Sequence, residues 1–233
     1  FMLEKTILVD DTPDIPLSSL LKAVRMDEDS DPEDLAEISQ MLDEALALAK
    51  PKAVFGLAQV ESRDENGVIV DGVRFHSPLV SKNLANTNRI VPFVVTCGME
   101  AEEWSLQYKD DPLKEFWADS IKLQLLGCIR PKVQKEVRRR FFPTGDISAM
   151  SPGSLAAWPL KEQRPLFALL GGVTPDIGAR LTGSCLILPS KSGSGFFFSP
   201  ESHYENCRYC PLIKCPNRRA PFEHELEGVP QDE

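Results

Sequence analysis

Histidine is scarce in this chain: among 233 residues only His76, His203 and His224 occur. A Ser-His-Asp or Cys-His constellation of the hydrolase type would have to lean on His76 with no supporting motif, and none is expected. Long apolar runs are also missing. No stretch approaches the roughly 20 apolar residues of a membrane helix, so no membrane partner is expected. Nothing near the start joins a basic region, an apolar core and a small-residue cleavage site, which points to a cytoplasmic protein. Positive charge is in deficit, with 26 Lys and Arg against 35 Asp and Glu and a net charge of −9. That balance opposes the phosphate neutralisation behind most nucleic-acid affinity, and nucleic acid is not an expected partner. The one basic run, Arg138-Arg139-Arg140, closes a predicted helix, where cations complement the dipole.

What is present is a soluble composition, 42% apolar and 26% charged. The length suits one substantial domain, residues 1–200, with a cysteine-rich extension over 201–233. A short strand is predicted at Thr6 to Val9 and a helix from Pro16-Leu17. A second helix follows Asp31, with Pro32 at its first position and an apolar stripe through Leu35, Ile38, Met41, Leu42, Ala45 and Leu46. Strands are predicted at Val54 to Val60, Val68 to Phe75 after the Asn66-Gly67 turn, and Ile90 to Thr96. Residues 99–108 read as a short helix. Pro112 opens a long one, in which Pro131 removes a backbone donor and predicts a kink. Residues 143–159 read as an irregular loop and about 162–170 as a helix. Leu181 to Leu188 and Gly195 to Ser199 are predicted to pair as a hairpin.

The six cysteines are unevenly spread. Cys97, Cys128 and Cys185 stand singly in apolar surroundings, whereas Cys207, Cys210 and Cys215 crowd into nine residues as C-x2-C-x4-C. In a chain without an export signal such clustering argues for metal ligation over disulfides. Proline follows Cys210 and Cys215 and stiffens the loop without offering a competing donor. Three thiolates leave one position to fill, for which Cys185, His203 and His224 are the candidates. The predicted hairpin would put Cys185 near its open end, close to where the chain leaves for Cys207, which favours Cys185. Four thiolates suit a 4Fe-4S cluster or a structural zinc ion; one three-cysteine loop with a distant fourth ligand favours the cluster.

Further motifs run from Ser151 to Tyr204. They are Ser151-Pro152-Gly153, the apolar Leu166 to Leu170, Ile177-Gly178-Ala179-Arg180-Leu181-Thr182, and Pro189-Ser190-Lys191-Ser192-Gly193-Ser194-Gly195. Their order and spacing resemble the activation domain of cobalamin-dependent methionine synthase, the module that helps return an oxidised cobalamin to service by reductive methylation. Weaker similarity reaches back through Val91 to Gly98 and Ala118-Asp119. The resemblance implies an α+β fold, a largely antiparallel sheet flanked by helices. It also implies that Ser192, Ser194, Gly195 and Tyr204 face a corrinoid partner.

The departures carry as much weight. The family binds S-adenosylmethionine through an Arg-x-x-x-Gly-Tyr sequence, and the matching positions here are Ala149, Gly153 and Ser154. An acidic residue that assists in the family is matched by Leu123. Loss of the charged partner of a carboxylate argues against S-adenosylmethionine as a ligand. The cysteine loop replaces a helix of the family's module and looks similar to free-standing corrinoid-activation relatives with a cysteine-rich end. The expected function is therefore reductive activation of a corrinoid protein or cobalamin-dependent methyltransferase, by electron transfer to Co(II) from an iron-sulfur cluster fed by an upstream donor. Arg208, Lys214, Arg218 and Arg219 would offset the cluster's charge or steer an acidic partner. The alternatives are a non-redox docking module stapled by zinc or a cluster, and reactivation by S-adenosylmethionine in a rearranged site.

Overall fold

The computed structural model describes residues 3–200, 204–215 and 218–223. Strand β1 (Lys5–Val9) leads to helix α1 (Leu17–Val24), which buries Leu20, Leu21 and Val24. Asp31 caps α2 (Pro32–Leu48): its carboxylate accepts from the Glu33 amide, while Pro32 sits where no amide is needed. Strands β2 (Lys52–Gly56), β3 (Ala58–Asp64), β4 (Gly67–Val70) and β5 (Val73–His76) follow. Ser77 caps α3 (Pro78–Asn83), and β6 (Arg89–Thr96) runs into α4 (Met99–Ser105). Asp111 caps the long α5 (Pro112–Phe141) by accepting from the Leu113 and Lys114 amides. The rest comprises β7 (Ser148–Met150), α6 (Gln163–Leu170), α7 (Val173–Ile177), β8 (Arg180–Leu181), β9 (Ile187–Leu188) and β10 (Ser192–Phe198).

All the paired strands are antiparallel, and eight of them form one sheet in which β6 is central. One edge of β6 pairs with β2 and β3, the other with β10, and β10 in turn pairs with β7. Alternation along β6 sends Val91, Phe93 and Val95 into a core shared with α1, α2, α4 and α5. Ile90 and Val94 enter a second core with α3, α6 and α7. Phe197 of β10 joins the first core, Phe196 and Phe198 the second. The sheet is thus covered by helices on both faces, the α+β arrangement the sequence implies.

The predicted strand over Val54 to Val60 is interrupted at Leu57. Pairing with β6 stops at Phe55↔Phe93 and resumes at Ala58↔Ile90. The gap falls opposite Pro92, which has no amide to give to the ladder. The strand over Val68 to Phe75 is likewise two strands, because Asp71 and Gly72 both take positive φ, 40° and 77°, and close a tight hairpin. Residues 143–159 are less irregular than expected, since β7 pairs there with β10.

The predicted pairing of Leu181–Leu188 with Gly195–Ser199 does not form. Strands β8 and β9 pair with each other across a turn in which Thr182 and Leu186 exchange hydrogen bonds, and β10 pairs with β6 and β7. The aromatic run Phe196-Phe197-Phe198 is buried on both sides and needs a place inside the main sheet, which a two-stranded ribbon cannot supply. Helix α5 continues through Pro131. The proline leaves the Gly127 carbonyl, one turn back, without its intrahelical partner.

Candidate functional site at the cysteine loop

The single cysteines separate from the cluster. Cys97, at the end of β6, is wholly buried, and burial followed by the nearby Glu102 carboxylate pushes its thiol up to about 12. Cys128, half-buried on α5, donates to the Asp14 carbonyl at 3.5 Å, and burial raises its pKa too. Cys185 lies at the closed end of the β8–β9 ribbon, buried and with φ of 65°. The geometry that favoured it as fourth ligand depended on a hairpin that is absent. His203 and His224 lie outside the described residues. Among the described residues, no three His, Cys, Asp or Glu side chains form a group that could hold a metal ion.

Cys207, Cys210 and Cys215 are half-buried on a loop built by local hydrogen bonds. Glu205 caps a single turn of 3-10 helix, Asn206–Arg208, by accepting from the Cys207 amide. Turns at Pro211–Ile213 and Leu212–Cys215 follow, and the Arg218 amide donates to the Cys215 carbonyl. The Arg218 side chain is the hub of this loop. Its Nη1 donates to the carbonyls of Cys207 (2.5 Å) and Ala220 (3.0 Å), its Nη2 to those of Cys210 (2.6 Å) and Leu212 (2.9 Å). One planar cation thereby ties four points of the chain together, which suits guanidinium and not ammonium geometry. The loop is anchored to the second core by Tyr204, which stacks on Tyr209 and packs against Phe198. Burial raises the Tyr204 phenol well above its ordinary value.

Between this loop and the body lies a cleft of about 860 Å³. Its floor is Val95 with the stacked rings of Phe93 and Phe197, centroids 4.3 Å apart. Arg130, Pro131 and Gln134 of α5 form one wall, and Ser151, Gly153 and Ser154 another. Cys207, Cys210, Arg218 and Arg219 close it from above. Among the described residues no Asp or Glu lines the cleft, although the chain carries nine more acids than bases. Ala149, Gly153 and Ser154, the positions matched to the S-adenosylmethionine motif, line this same cleft, whereas Leu123 does not.

The four residues expected to face a partner are mostly enclosed. Ser192 is half-buried, with Oγ 2.7 Å from the Pro189 carbonyl and 2.9 Å from Thr96 Oγ1. Ser194 is buried and donates to Gln163 Oε1 at 2.5 Å, reaching only the cleft. Gly195 is buried beneath Met150, and Tyr204 is buried under the cysteine loop. Sequence reasoning missed Arg130 and the hub role of Arg218. The second had a signal, an arginine three residues after the last clustered cysteine; the first had none, since only the packing of α5 on the sheet brings it to the loop.

No family model matches the chain, and no curated protein matches it. Its fold does have a solved counterpart. The chain is similar to a crystal structure of the MetH reactivation domain bound to AdoHcy, at 17% identity and a TM-score of 0.62, over 87% of this chain and 81% of that one. At that identity the likeness defines the fold, an antiparallel sheet covered by helices in the manner of a reactivation domain.

Proposed function

We propose that the chain serves corrinoid-dependent methyl transfer as an accessory of reductive activation, and that Cys207, Cys210 and Cys215 hold a 4Fe-4S cluster. The observation carrying this reading is three clustered thiols on a braced loop that roofs the cleft of a reactivation-type fold. The thiols of Cys207 and Cys210 share the cleft lining with three arginines and, among the described residues, with no carboxylate, although no three ligand side chains there form a group that could hold a metal ion. A cluster held by these cysteines would supply a single electron to a partner's corrinoid, taking Co(II) to Co(I), and an upstream donor would restore it. Residues 201–233 act on this reading as a redox appendage to the body over 1–200, in the cytoplasm. No helix among the described residues is long and apolar enough to cross a membrane.

A second reading is a docking module in which zinc or a cluster only staples the loop. It is favoured by the brace from Arg218, which ties four carbonyls of the chain without any metal. S-adenosylmethionine is not the ligand proposed for the cleft, because Ala149 offers no charge to its carboxylate.

The deciding experiment is metal analysis with visible and electron paramagnetic resonance spectra of anaerobically purified protein, wild type against Cys210→Ser and Cys185→Ser. About four irons per chain, lost in Cys210→Ser, support the cluster, and loss in Cys185→Ser as well would make Cys185 the fourth ligand. Stoichiometric zinc favours the docking module; a metal-free, colourless preparation sinks the cluster.

A further inference from the structure

The three clustered cysteines divide two and one. Cys207 and Cys210 both line the cleft, whereas Cys215, half-buried on the same loop, does not. The first two are also the ends of a turn. Arg208 belongs to the 3-10 turn Asn206–Arg208, and Tyr209 follows with φ −106° and ψ −7°. A helical residue followed by one near that conformation is a type I turn, whose end Cα atoms lie less than about 7 Å apart. A disulfide requires about 4.4 to 6.8 Å. Side chains three apart on 3-10 backbone also eclipse one another, which puts both cysteines on the cleft side.

The ends and the centre of this turn are all held. Arg218 takes the Cys207 carbonyl on Nη1 at 2.5 Å and the Cys210 carbonyl on Nη2 at 2.6 Å, so one planar guanidinium spaces the two cysteines. Arg208 pairs with Glu223 at 3.1 Å, and Tyr209 stacks on Tyr204 with centroids 5.7 Å apart. Glu205 accepts from the Cys207 amide at 3.3 Å. Cys215 ends a separate turn that starts at Leu212. A turn already fixed at the spacing of a bridge loses little further freedom when the bridge closes.

We infer that Cys207 and Cys210 are a redox-active dithiol pair, a site of thiol–disulfide exchange with a disulfide substrate that reaches the cleft, Cys215 remaining a free thiol. In the exchange one sulfur of the pair, as thiolate, attacks a sulfur of the substrate disulfide; a mixed disulfide forms and one substrate thiolate leaves. The second sulfur of the pair then attacks the first, the other substrate thiolate leaves, and the Cys207–Cys210 bond is closed. The pair gives up two electrons and two protons, and the substrate disulfide takes them to become two thiols. A dithiol substrate reverses each step. The inference stands on the placement of two thiols and not on the cluster reading, since iron and a bridge exclude each other at the same sulfurs.

The test is equilibration of the full chain, purified anaerobically and stripped of any iron with a chelator, in buffers of oxidised and reduced glutathione. Acid quenching, alkylation and peptide mass spectrometry follow. Trypsin cuts after Arg208, so the bridge appears as a cross-link between the peptide that ends there and the one carrying Cys210. The expected result is a link from Cys207 to Cys210 with Cys215 alkylated, which reduced glutathione reopens and which persists in Cys215→Ser. Cys207→Ser and Cys210→Ser should each lose the link and stop at a mixed disulfide with glutathione. Bridging through Cys215 in preference, or mixed disulfides alone in the wild type, overturns the inference. A link that reduced glutathione cannot reopen overturns it as well. Iron that the chelator cannot strip, and that keeps both cysteines from oxidising, overturns it while leaving the cluster reading in place. An iron-free preparation whose Cys207–Cys210 link closes and reopens sinks the cluster and supports the exchange site.

Discussion

Gly195 and Met150 approach so closely that a Cβ on the glycine would stand 2.0 Å from the Met150 carbonyl oxygen. The obstruction is backbone, in the strand that pairs Met150 with Phe196, and no side-chain rotation relieves it. Gly195→Ala must push β7 away from β10 and is expected to cost about 3 kcal/mol, in the upper range for overpacking. Gly183, with nothing within 4 Å of its Cβ position and no positive φ, is the control. Urea denaturation of the two variants should show a lowered midpoint for the first and an unchanged one for Gly183→Ala.

Thiol chemistry separates the cysteines. With its pKa raised to about 12, Cys97 is protonated throughout the physiological range. On the order of 10⁻⁴ of it is thiolate at pH 8, the reactive form. Cys207, Cys210 and Cys215 are half-exposed. Alkylation of metal-free protein at pH 8 followed by peptide mass spectrometry should modify the three clustered cysteines and leave Cys97 untouched until the fold is denatured. Early labelling of Cys97 would contradict its burial.

Arg218 braces a loop whose own large apolar residues, Leu212 and Ile213, are exposed and contribute little to holding it. Arg218→Ala removes four hydrogen bonds from one segment, and Arg218→Lys, with three donors on a single nitrogen, cannot replace the planar span. Amide exchange across residues 204–215 is expected to accelerate in both variants while the thermal midpoint of the body is nearly unchanged. Equal protection in wild type and variants would show that the loop does not depend on the guanidinium.

Glu44 gathers three donors, Gln40 Nε2 at 2.9 Å, Tyr108 OH at 3.0 Å and Trp104 Nε1 at 3.4 Å. These bonds, that from Gln40 first, hold its carboxyl below the ordinary glutamate range. A carboxylate depressed in the folded state contributes stability above its unfolded pKa and loses it as pH falls through the folded value. Tyr108→Phe should therefore lower stability at pH 7 by about 1 kcal/mol, reduced from a buried charged bond because Glu44 is half-exposed. Thermal melts at pH 7 and pH 3 should show the difference shrinking at the lower pH.

Helices with strong starts were legible in the sequence: Asp31-Pro32 and Asp111-Pro112 each join an acceptor for free amides to a residue that has none to offer. The apolar run of β6 identified a covered strand. Strand partnership was less visible. Asp71-Gly72 announced a turn that a continuous apolar reading passed over, and the β8–β9 ribbon was joined to the wrong neighbour because short strands resemble one another until burial is known. At the site the cysteine spacing stood out, since the three thiols are neighbours in the chain itself. Arg130 did not, because its nearness to Cys215 is set by how α5 lies across the sheet.

Helix α5 packs Ile121, Leu125, Ile129 and Val133 into the first core and turns Arg130, Pro131 and Gln134 to the cleft. Interior and cleft wall are therefore two sides of one helix. A volume change under Ile129 or Val133 re-aims the guanidinium by the same movement that repacks the core. Drift in this chain's interior is inherited as drift in its electrostatics, and substitutions under the helix and along the cleft wall are expected to arrive as pairs.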